Sequence, residues 1–285
     1  MNKCVIPVAG FGTRMLPAAK AVPKEMLPIL DRPAIQYVIE EAVAAGLNDA
    51  LLVTSRYKRA IEDHFDRDHA LEARLRSSGR EKLLASLTEL ASKIKIQSVR
   101  QPDMRGLGDA VLQSRHFAGD EPFICMLGDA LFSGGEPPSR QLAAAHAELK
   151  TALIGLEEVP AEKVDRYGIV AGTTVRPGLI RIEKIIEKPS RELAPSRLAV
   201  AARYVLTPGI FECLDKTTPG AGGEIQLTDA LRLLLEREPV HGVILSARRH
   251  DIGDIADWLA TNLTFAAADA KLWKQLEPLL RSLLK

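Results

Sequence analysis

Short runs of apolar residues alternate along this chain with segments whose apolar residues recur at every third or fourth position. The short runs are typical of buried β-strands, and the wider spacing indicates helices that cover a sheet. Because strands and helices follow each other in turn, the pattern favours a mainly parallel sheet whose strands are joined by crossover helices. The sequence therefore predicts an α/β fold.

The first half shows this alternation most clearly. Predicted strands cover residues 4–9, 50–54, 95–99 and 122–127, and predicted helices cover residues 33–45, 57–65, 107–116 and 141–149. Pro33 suits a first helical position, where its missing N–H costs no hydrogen bond, and Gly46 suits the end of the same helix. The charged stretch 68–92, with leucines at helical spacing, indicates a helical insertion.

The second half has more turn residues between its strands, which favours a mixed sheet. Its predicted strands cover residues 152–156, 168–171, 179–186, 198–206 and 243–245, and its predicted helices cover residues 225–236 and 255–268. We expect one domain over residues 1–268, with halves at 1–132 and 150–268. A C-terminal helix is expected within residues 269–285, amphipathic over 272–284.

The segment that follows the first strand carries the most chemical information. In Gly10-Phe-Gly-Thr-Arg14 two glycines allow backbone N–H groups to approach an anion closely. A dinucleotide fingerprint would need a third glycine where Met15 stands, and a Walker loop would need Gly-Lys-Ser/Thr. Alone, the glycines could form a structural turn. Joined to Arg14 and Lys24, they predict a triphosphate-binding site.

Composition narrows the range of partners. The chain has 285 residues, with 38 Lys and Arg against 37 Asp and Glu, so no overall field favours nucleic acid or a membrane surface. We expect neither a membrane span nor a secretory signal, because the apolar runs are short. Cys4, Cys125 and Cys213 are expected to be buried free thiols in a reducing cytoplasm, since no histidine has a spacing that suggests a catalytic partner.

Two aspartates follow predicted strands, at positions where ligands could bind. Asp129 follows the strand at 122–127, and ligands collect at the carboxyl ends of strands in doubly wound sheets. It could hold Mg²⁺ against phosphates, or it could be a turn aspartate that caps its own backbone. Asp251, in Asp251-Ile-Gly253, lies at a similar edge after the strand at 243–245, whereas Asp254 is expected to cap the following helix.

Polar residues at two further strand ends could bind small molecules. Glu187 could accept hydrogen bonds from sugar hydroxyls and Lys188 could neutralise a phosphate, with strand alternation sending the two side chains opposite ways. An exposed Glu-Lys pair without a function is the alternative. Gln101 carries both a donor and an acceptor, so it can pair with the edge of a pyrimidine.

These motifs together resemble the sugar nucleotidyltransferases, and most closely the bacterial UTP–glucose-1-phosphate uridylyltransferases. The resemblance covers the chain to about residue 265 and lies in Gly10–Arg14, Pro23-Lys-Glu-Met-Leu-Pro28, Pro33-Ala-Ile-Gln-Tyr37, Arg100-Gln101, Gly106-Leu-Gly108, Tyr167-Gly168, Glu187-Lys-Pro189 and Gly223-Glu-Ile-Gln-Leu-Thr-Asp229. Two residues depart from the family pattern: Asp109 stands where His is usual, and Gly128 replaces the proline of Leu-Pro-Asp.

The resemblance implies a Rossmann-like, three-layer α/β/α nucleotidyltransferase fold with a mainly parallel, mixed central sheet. It makes residues 1–132 the nucleotide-binding half and residues 150–268 the sugar-binding half. It also assigns a role to each candidate residue. Implied are nucleotide binding by Ala9, Gly10, Gly12, Thr13, Gln101 and Gly106, sugar binding by Gly168 and Glu187, catalysis by Arg14, Lys24 and Lys188, and Mg²⁺ binding by Asp129 and Asp251.

The implied reaction joins UTP and glucose 1-phosphate into UDP-glucose and pyrophosphate in a cytoplasmic homo-oligomer, a dimer or a tetramer. A thymidylyl- or cytidylyltransferase acting on a hexose 1-phosphate is the alternative within the family. A catalytically silent regulatory paralogue is a second alternative, although it should have lost Arg14, Asp129 or Lys188. A nicotinamide-dependent oxidoreductase is disfavoured by the missing third glycine.

Overall fold

A nine-stranded sheet forms the centre of the molecule. The computed structural model describes residues 1–220 and 223–283, without the side chains of residues 86 and 87. In chain order the strands are β1 (Lys3–Pro7), β2 (Pro28–Ile29), β3 (Arg32–Pro33), β4 (Asp49–Thr54), β5 (Lys95–Arg100), β6 (Phe123–Met126), β7 (Ala130–Ser133), β8 (Ala152–Glu158), β9 (Gly168–Arg176), β10 (Leu179–Glu187), β11 (Leu198–Leu206), β12 (Val240–Ile244) and β13 (Arg248–Asp251).

Helices flank the sheet. They are α1 (Ala34–Ala44), α2 (Arg59–Phe65), α3 (His69–Ser77), α4 (Glu81–Lys93), α5 (Leu107–Leu112), α6 (Arg115–Ala118), α7 (Pro138–Leu149), α8 (Gly209–Lys216), α9 (Leu227–Leu235), α10 (Ile255–Ala268) and α11 (Ala270–Leu283). Short 3₁₀ turns at Thr13–Met15 and Lys24–Met26 occupy the two motifs next to the first strand. In the part of the chain described, no helix is long and apolar enough to cross a membrane.

The sheet is mixed, as the sequence predicts, with four parallel and five antiparallel strand pairings. Its order is β5-β4-β1-β6-β11-β8-β12-β10-β9. Strands β5, β4, β1 and β6 run parallel to one another, and β12 runs parallel to β8. Strand β11 is antiparallel to β6, β8 and β9, and β10 is antiparallel to β12 and β9. The carboxyl ends of β1, β4, β5 and β6 therefore meet at one edge.

The three-layer arrangement is confirmed by the packing on the two faces of β1. Val5 lies in an apolar core that also contains residues of α5, α8 and α9. Cys4 and Ile6 point the other way, into a core that contains residues of α1 and α7. A strand that is apolar on both faces is what a parallel strand between two helical layers requires. All three cysteines are free and buried, as predicted.

Several element boundaries differ from the prediction. Strand β11 and helix α10 match it fully, whereas the helix predicted at 107–116 is divided into α5 and α6. Pro33 caps α1 instead of occupying its first turn. Strands β7 and β13 and helix α8 were not predicted. The predicted C-terminal helix is α11, and the positions 284 and 285 lie outside the described residues.

Candidate active site

The loop after β1 presents backbone donors to the carboxyl edge of the sheet. Gly12 has a φ of 66°, a left-handed conformation, and a β-carbon there would lie 3.2 Å from the Lys24 side chain. Among the described residues, the backbone N–H groups of Ala9, Gly10, Gly12 and Thr13 donate to no acceptor. Such unpaired donors are what an anion-binding loop offers to a phosphate.

Arg14 extends from this loop over the start of a second loop. Its guanidinium lies so close to Gly253 that a β-carbon on that glycine would be 3.3 Å from Nη2. Within residues 1–220 and 223–283, Arg14 has no ion-pair partner. An unpaired guanidinium beside unpaired backbone donors offers the positive charge and hydrogen-bond donors that a polyanion requires.

Lys24 and Asp129 form an ion pair at the centre of the site. Burial alone would lower the pKa of Lys24, but the charges of Asp129 and Glu25 outweigh burial and raise that pKa above its usual value. Burial alone would raise the pKa of Asp129, but Lys24 and Arg14 hold it below its usual value. Both groups are therefore charged at neutral pH, and the carboxylate can act as a metal ligand.

Gly128 explains one departure from the family pattern. A β-carbon at this position would lie 2.6 Å from Cγ1 of Val8, at the end of the first strand. This distance is shorter than any normal contact between two carbon atoms. The backbone next to Asp129 can thus approach the chain segment after β1 because residue 128 has no side chain.

Asp251 lies beside Asp129, as the sequence predicts. It belongs, however, to a strand that was not predicted. It ends β13, which pairs with β7 so that Asp251 is opposite Ala130. The N–H of Ile252 donates to the carbonyl oxygen of Asp129 at 3.1 Å. The antiparallel pairing of two short strands therefore brings the two carboxylates to one edge of the cleft, whereas the expectation placed Asp251 after the strand at 243–245.

Tyr167 and Arg249 surround the Asp251 carboxylate. The Tyr167 hydroxyl donates to Asp251 Oδ2 at 3.0 Å, and Arg249 Nη2 lies 3.6 Å from the same oxygen. Burial, with a contribution from Asp251, raises the pKa of Tyr167 to about 12, so the phenol keeps its proton. Arg249 also stacks on the Tyr167 ring at 4.2 Å and pairs with Glu157. Asp251 is thus oriented before any ligand binds.

Glu187 and Lys188 lie at the end of β10, in the second half of the chain. Gly168 pairs with Glu187 across two strands, and a β-carbon on Gly168 would lie 3.3 Å from Glu187 Oε2. Thr228 donates its hydroxyl hydrogen to the same oxygen at 2.7 Å. Lys188 has a φ of 45°, and its Nζ is 3.4 Å from Glu187 Oε1. The left-handed residue ends the strand and turns both side chains to one side, so the expected opposite orientation is wrong.

Gln101 and Gly106 form a separate cluster at the end of β5. The Gln101 Nε2 group donates to the Gly106 carbonyl at 3.1 Å and to Asp109 Oδ2 at 2.8 Å. Arg105 Nη2 lies 2.6 Å from Asp109 Oδ1. Gly106 has a φ of 104°, and a β-carbon there would lie 2.7 Å from the carbonyl oxygen of Ile225. The structure therefore requires glycine at this position whether or not a base binds.

One cleft of about 710 Å³ joins most of these residues. Its wall contains side chains from both halves of the chain. Among the predicted site residues, the lining includes Arg14, Asp129, Gly168, Glu187, Lys188 and Asp251. Lys24 reaches the cleft through its ion pair with Asp129. Gln101 and Gly106 do not line it, although Leu107 does.

Sequence reasoning missed the residue that supports the Asp129 loop. Arg203 is fully buried and binds both carboxylate oxygens of Glu41 through Nε and Nη2, at 2.7 Å for the shortest contact. It also donates to the carbonyl oxygens of Leu127 and Ala130, on either side of Asp129. A single charged residue inside the apolar run 198–206 was the available signal, because a buried charge requires a partner.

Comparison with known proteins agrees with this geometry. A family model described as "Nucleotidyl transferase" matches residues 3–267. The UTP–glucose-1-phosphate uridylyltransferase of Bacillus subtilis is 44% identical over 284 residues, covering 100% of this chain and 97% of that protein. A crystal structure of UDP-glucose pyrophosphorylase complexed with UDP-glucose has a TM-score of 0.87 and 38% identity, covering 94% of this chain and 99% of that chain. A UTP-bound enzyme from Acinetobacter baumannii has a TM-score of 0.90 and 37% identity, covering 98% of both chains.

Proposed function

The chain belongs to the nucleotidyl transferase family, and we propose that it transfers the uridylyl group of UTP to glucose 1-phosphate, forming UDP-glucose and pyrophosphate. The observation that carries the proposal is the cleft shared by the two halves. Arg14 and Asp129 line it from the first half of the chain, and Glu187 and Lys188 line it from the second half. Two anionic substrates could thus meet between cations supplied by separate parts of the fold.

The proposed chemistry needs no general base. The phosphate of glucose 1-phosphate is an anion at neutral pH, so it can attack the α-phosphorus of UTP directly. The protein must overcome repulsion between two anions and stabilise the charge on the departing pyrophosphate, which is a task of positioning and electrostatics. Lys188 would hold the attacking phosphate, Lys24 would cover the α-phosphate, and Arg14 would bind the leaving pyrophosphate.

We assign the remaining substrate contacts to the two halves at residues 1–132 and 150–268. The loop donors of Ala9, Gly10, Gly12 and Thr13 would bind UTP phosphates. Glu187 would accept hydrogen bonds from the hexose hydroxyls, with Gly168 leaving room for the ring. The hydrogen bond from Thr228 and the contact with Lys188 orient the Glu187 carboxylate for this role.

We also propose Mg²⁺ as the cofactor, held by Asp129 and Asp251. Mg²⁺ is bound through one or two carboxylates together with substrate phosphates. Asp251 ends β13, and Asp129 directly precedes its partner strand β7. The described residues contain no cluster of three or more acidic, His or Cys ligands, so phosphate oxygens would have to complete the site. When bound, the ion would neutralise charge on the phosphates. Lys24 and Tyr167 keep the carboxylates oriented meanwhile.

Removing the Asp129 carboxylate tests this metal assignment. Asp129→Asn should reduce turnover by orders of magnitude while the variant still folds, with a lower unfolding midpoint because the Lys24 ion pair is lost, and excess EDTA should abolish wild-type activity. Asp215→Asn, which changes an exposed aspartate outside the cleft, is the matched control and should leave activity unchanged. Full activity of Asp129→Asn, or of the wild type in EDTA, would exclude the metal role.

Two further proposals concern the cell and the assembly. The three buried free thiols support a location in the reducing cytoplasm. Leu259 and Leu263 of α10 and Leu279 and Leu283 of α11 expose 48–73% of their surface, which supports a homo-oligomer, dimer or tetramer, that covers them.

The decisive experiment measures pyrophosphate release with UTP, dTTP, CTP and GTP, each combined with glucose 1-phosphate and galactose 1-phosphate. The proposal expects the highest kcat/KM for UTP with glucose 1-phosphate, and product identification should give UDP-glucose. A clear preference for dTTP would move the protein to the thymidylyl branch. Nucleotide binding without any turnover would instead favour the silent regulatory paralogue.

A further inference from the structure

Hydrogen bonds to neighbouring acceptors fix the orientation of the Gln101 side-chain amide. A side-chain amide has two donor hydrogens on nitrogen and an oxygen that only accepts. Gly106 O and the Asp109 carboxylate are both acceptors, so the nitrogen must point toward them, at 3.1 and 2.8 Å. The reverse orientation would place three acceptors against one another. The chemistry of the neighbours thus fixes which end of the amide is which.

The same contacts leave only the amide oxygen available. Both hydrogens of Nε2 are used, and Oε1 accepts no hydrogen bond from any described residue. Three side-chain polar atoms in the described part are fully enclosed without a partner: Thr54 Oγ1, Ser55 Oγ and Arg115 Nε. Gln101 Oε1 is not one of them, so this atom is not fully enclosed, although only 4% of the residue is exposed. The sequence expected a group that both donates and accepts, but the structure presents an acceptor alone.

Asp109 maintains this orientation. It is buried, with 1% of its surface exposed, and Arg105 holds its second carboxylate oxygen at 2.6 Å. An ionised carboxylate has no hydrogen to donate, so it never stabilises the flipped amide. Asp109 stands where related proteins usually have His, whose ring nitrogens can either donate or accept. Asp109 therefore restricts the orientation of the Gln101 amide more than a histidine at that position would.

We propose that Asp109 is a positioning residue that sets the base selectivity of the enzyme by presenting Gln101 to the nucleotide as an acceptor only. The proposal rests on the proposed function, and it takes Gln101, which the family resemblance assigns to the nucleotide, as the residue that reads the base of UTP. Uracil carries a hydrogen on N3 and can donate it to Oε1. Cytosine has an unprotonated N3, which would meet Oε1 as a second acceptor. Thymine has the same N3–H as uracil, so this device does not exclude dTTP.

The ratio of the kcat/KM values for UTP and CTP tests the proposal. Asp109→Asn keeps the shape of the side chain but lets its amide either donate or accept. Only the Gly106 carbonyl then still favours the original orientation, so a flipped Gln101 that offers its N–H to cytosine becomes less unfavourable. Because Arg105 is 57% exposed, the change leaves no buried unpaired charge, and we expect the variant to fold. The UTP-to-CTP ratio should fall about tenfold, the usual effect of losing one discriminating hydrogen bond. The KM for glucose 1-phosphate should stay within about twofold of wild type.

A matched control separates orientation from charge. Asp215 also pairs with an arginine, Arg115, at 2.6 Å, and it does not contact Gln101. Asp215→Asn should leave the ratio unchanged. If Asp109→Asn instead improves UTP and CTP by the same factor, the residue acts only as a negative charge near the nucleotide, and the proposal is wrong. An unchanged ratio has the same consequence.

A crystal structure of the wild type with UTP provides a test that does not depend on the variant. It should show the Gln101 nitrogen still bound to Asp109 and the other amide atom about 3 Å from uracil N3. A broken Gln101–Asp109 contact would overturn the proposal. The experiments distinguish a wrong proposed function from a wrong role for Asp109. A wild type that forms no UDP-glucose contradicts the proposed function, whereas a UTP-selective wild type with an unchanged ratio in Asp109→Asn contradicts only the role of Asp109.

Discussion

At the scale of single residues, the cleft works by keeping its charges oriented before substrate arrives. Asp129 is paired with Lys24, and Asp251 accepts from Tyr167. Arg14 and Lys188 differ from these, because Arg14 has no ion-pair partner among the described residues and 57% of the Lys188 side chain is exposed. The preformed pairs hold the acidic groups in place, while the more accessible cations are available to two incoming anions.

Lys188 is expected to bind the sugar phosphate. Lys188→Ala should raise the KM for glucose 1-phosphate about ten- to a hundredfold, the usual range for a lost charge-assisted hydrogen bond, while the KM for UTP changes little. Steady-state pyrophosphate release with each substrate varied in turn measures both values. Lys184→Ala on the same strand removes an exposed lysine outside the cleft and should behave as wild type. A loss confined to the KM for UTP would move Lys188 to the nucleotide.

The Lys24–Asp129 pair determines how the stability of the folded protein changes with pH. The folded pKa of Asp129 is below its usual 3.8, so its contribution to stability is present above pH 3.8 and lost as pH falls through the folded pKa. The folded pKa of Lys24 is above its usual 10.5, so its contribution is present below pH 10.5 and lost as pH rises through the folded value.

The difference in unfolding free energy between the wild type and the double variant Lys24→Met, Asp129→Leu should therefore be constant between about pH 5 and pH 9. Urea unfolding at several pH values measures it. The difference should decline only at more acidic or more alkaline pH. A slope through neutral pH would show that one of the two groups titrates there, contrary to the assigned directions.

At the scale of elements, the approach of the β6–β7 turn to the end of β1 determines where Asp129 lies. Gly128→Ala should destabilise the protein by about 1–3 kcal/mol, because its β-carbon would lie 2.6 Å from Val8 Cγ1. Thermal or urea unfolding measures the loss, and activity should fall with it as Asp129 is displaced. Val8→Ala in the same chain removes the clashing methyl group and should restore part of both. Additive losses in the double variant would mean that Val8 is not the cause.

The periodic elements were predictable from the sequence, and the site's supporting elements were not. Strand β11 and helix α10 have patterns that burial alone imposes, so local sequence identifies them. Strands β7 and β13 have four residues each and exist because they pair with each other across more than a hundred residues. The motifs identified the cleft residues, whereas the left-handed Lys188 and the role of Arg203 depend on tertiary contacts that no local pattern encodes.

At the scale of the whole molecule, both apolar cores draw residues from both halves of the chain. Val5 and Val240 share one core, and Ile6 and Val205 share the other. The two walls of the cleft are therefore parts of one continuous sheet, which holds the distance between them. Helix α11 is the exception, because none of its described residues is buried.

This exposure of α11 leads to the final prediction. Leu279 is 56% and Leu283 73% exposed, at positions one helical turn apart, so they form an apolar strip that a single chain leaves in contact with water. The double variant Leu279→Glu, Leu283→Glu should leave the thermal unfolding of the protomer and its pyrophosphate release within about twofold of wild type, since exposed substitutions rarely disturb a fold. Light scattering coupled to size exclusion should show a dimer or tetramer for the wild type and a smaller species for the variant. Arg281→Glu, between the two leucines, tests whether a change of charge alone disrupts assembly. We expect a smaller effect from this substitution, because it leaves the apolar surface of both leucines in place. A variant with the wild-type mass would exclude this strip as the contact between subunits.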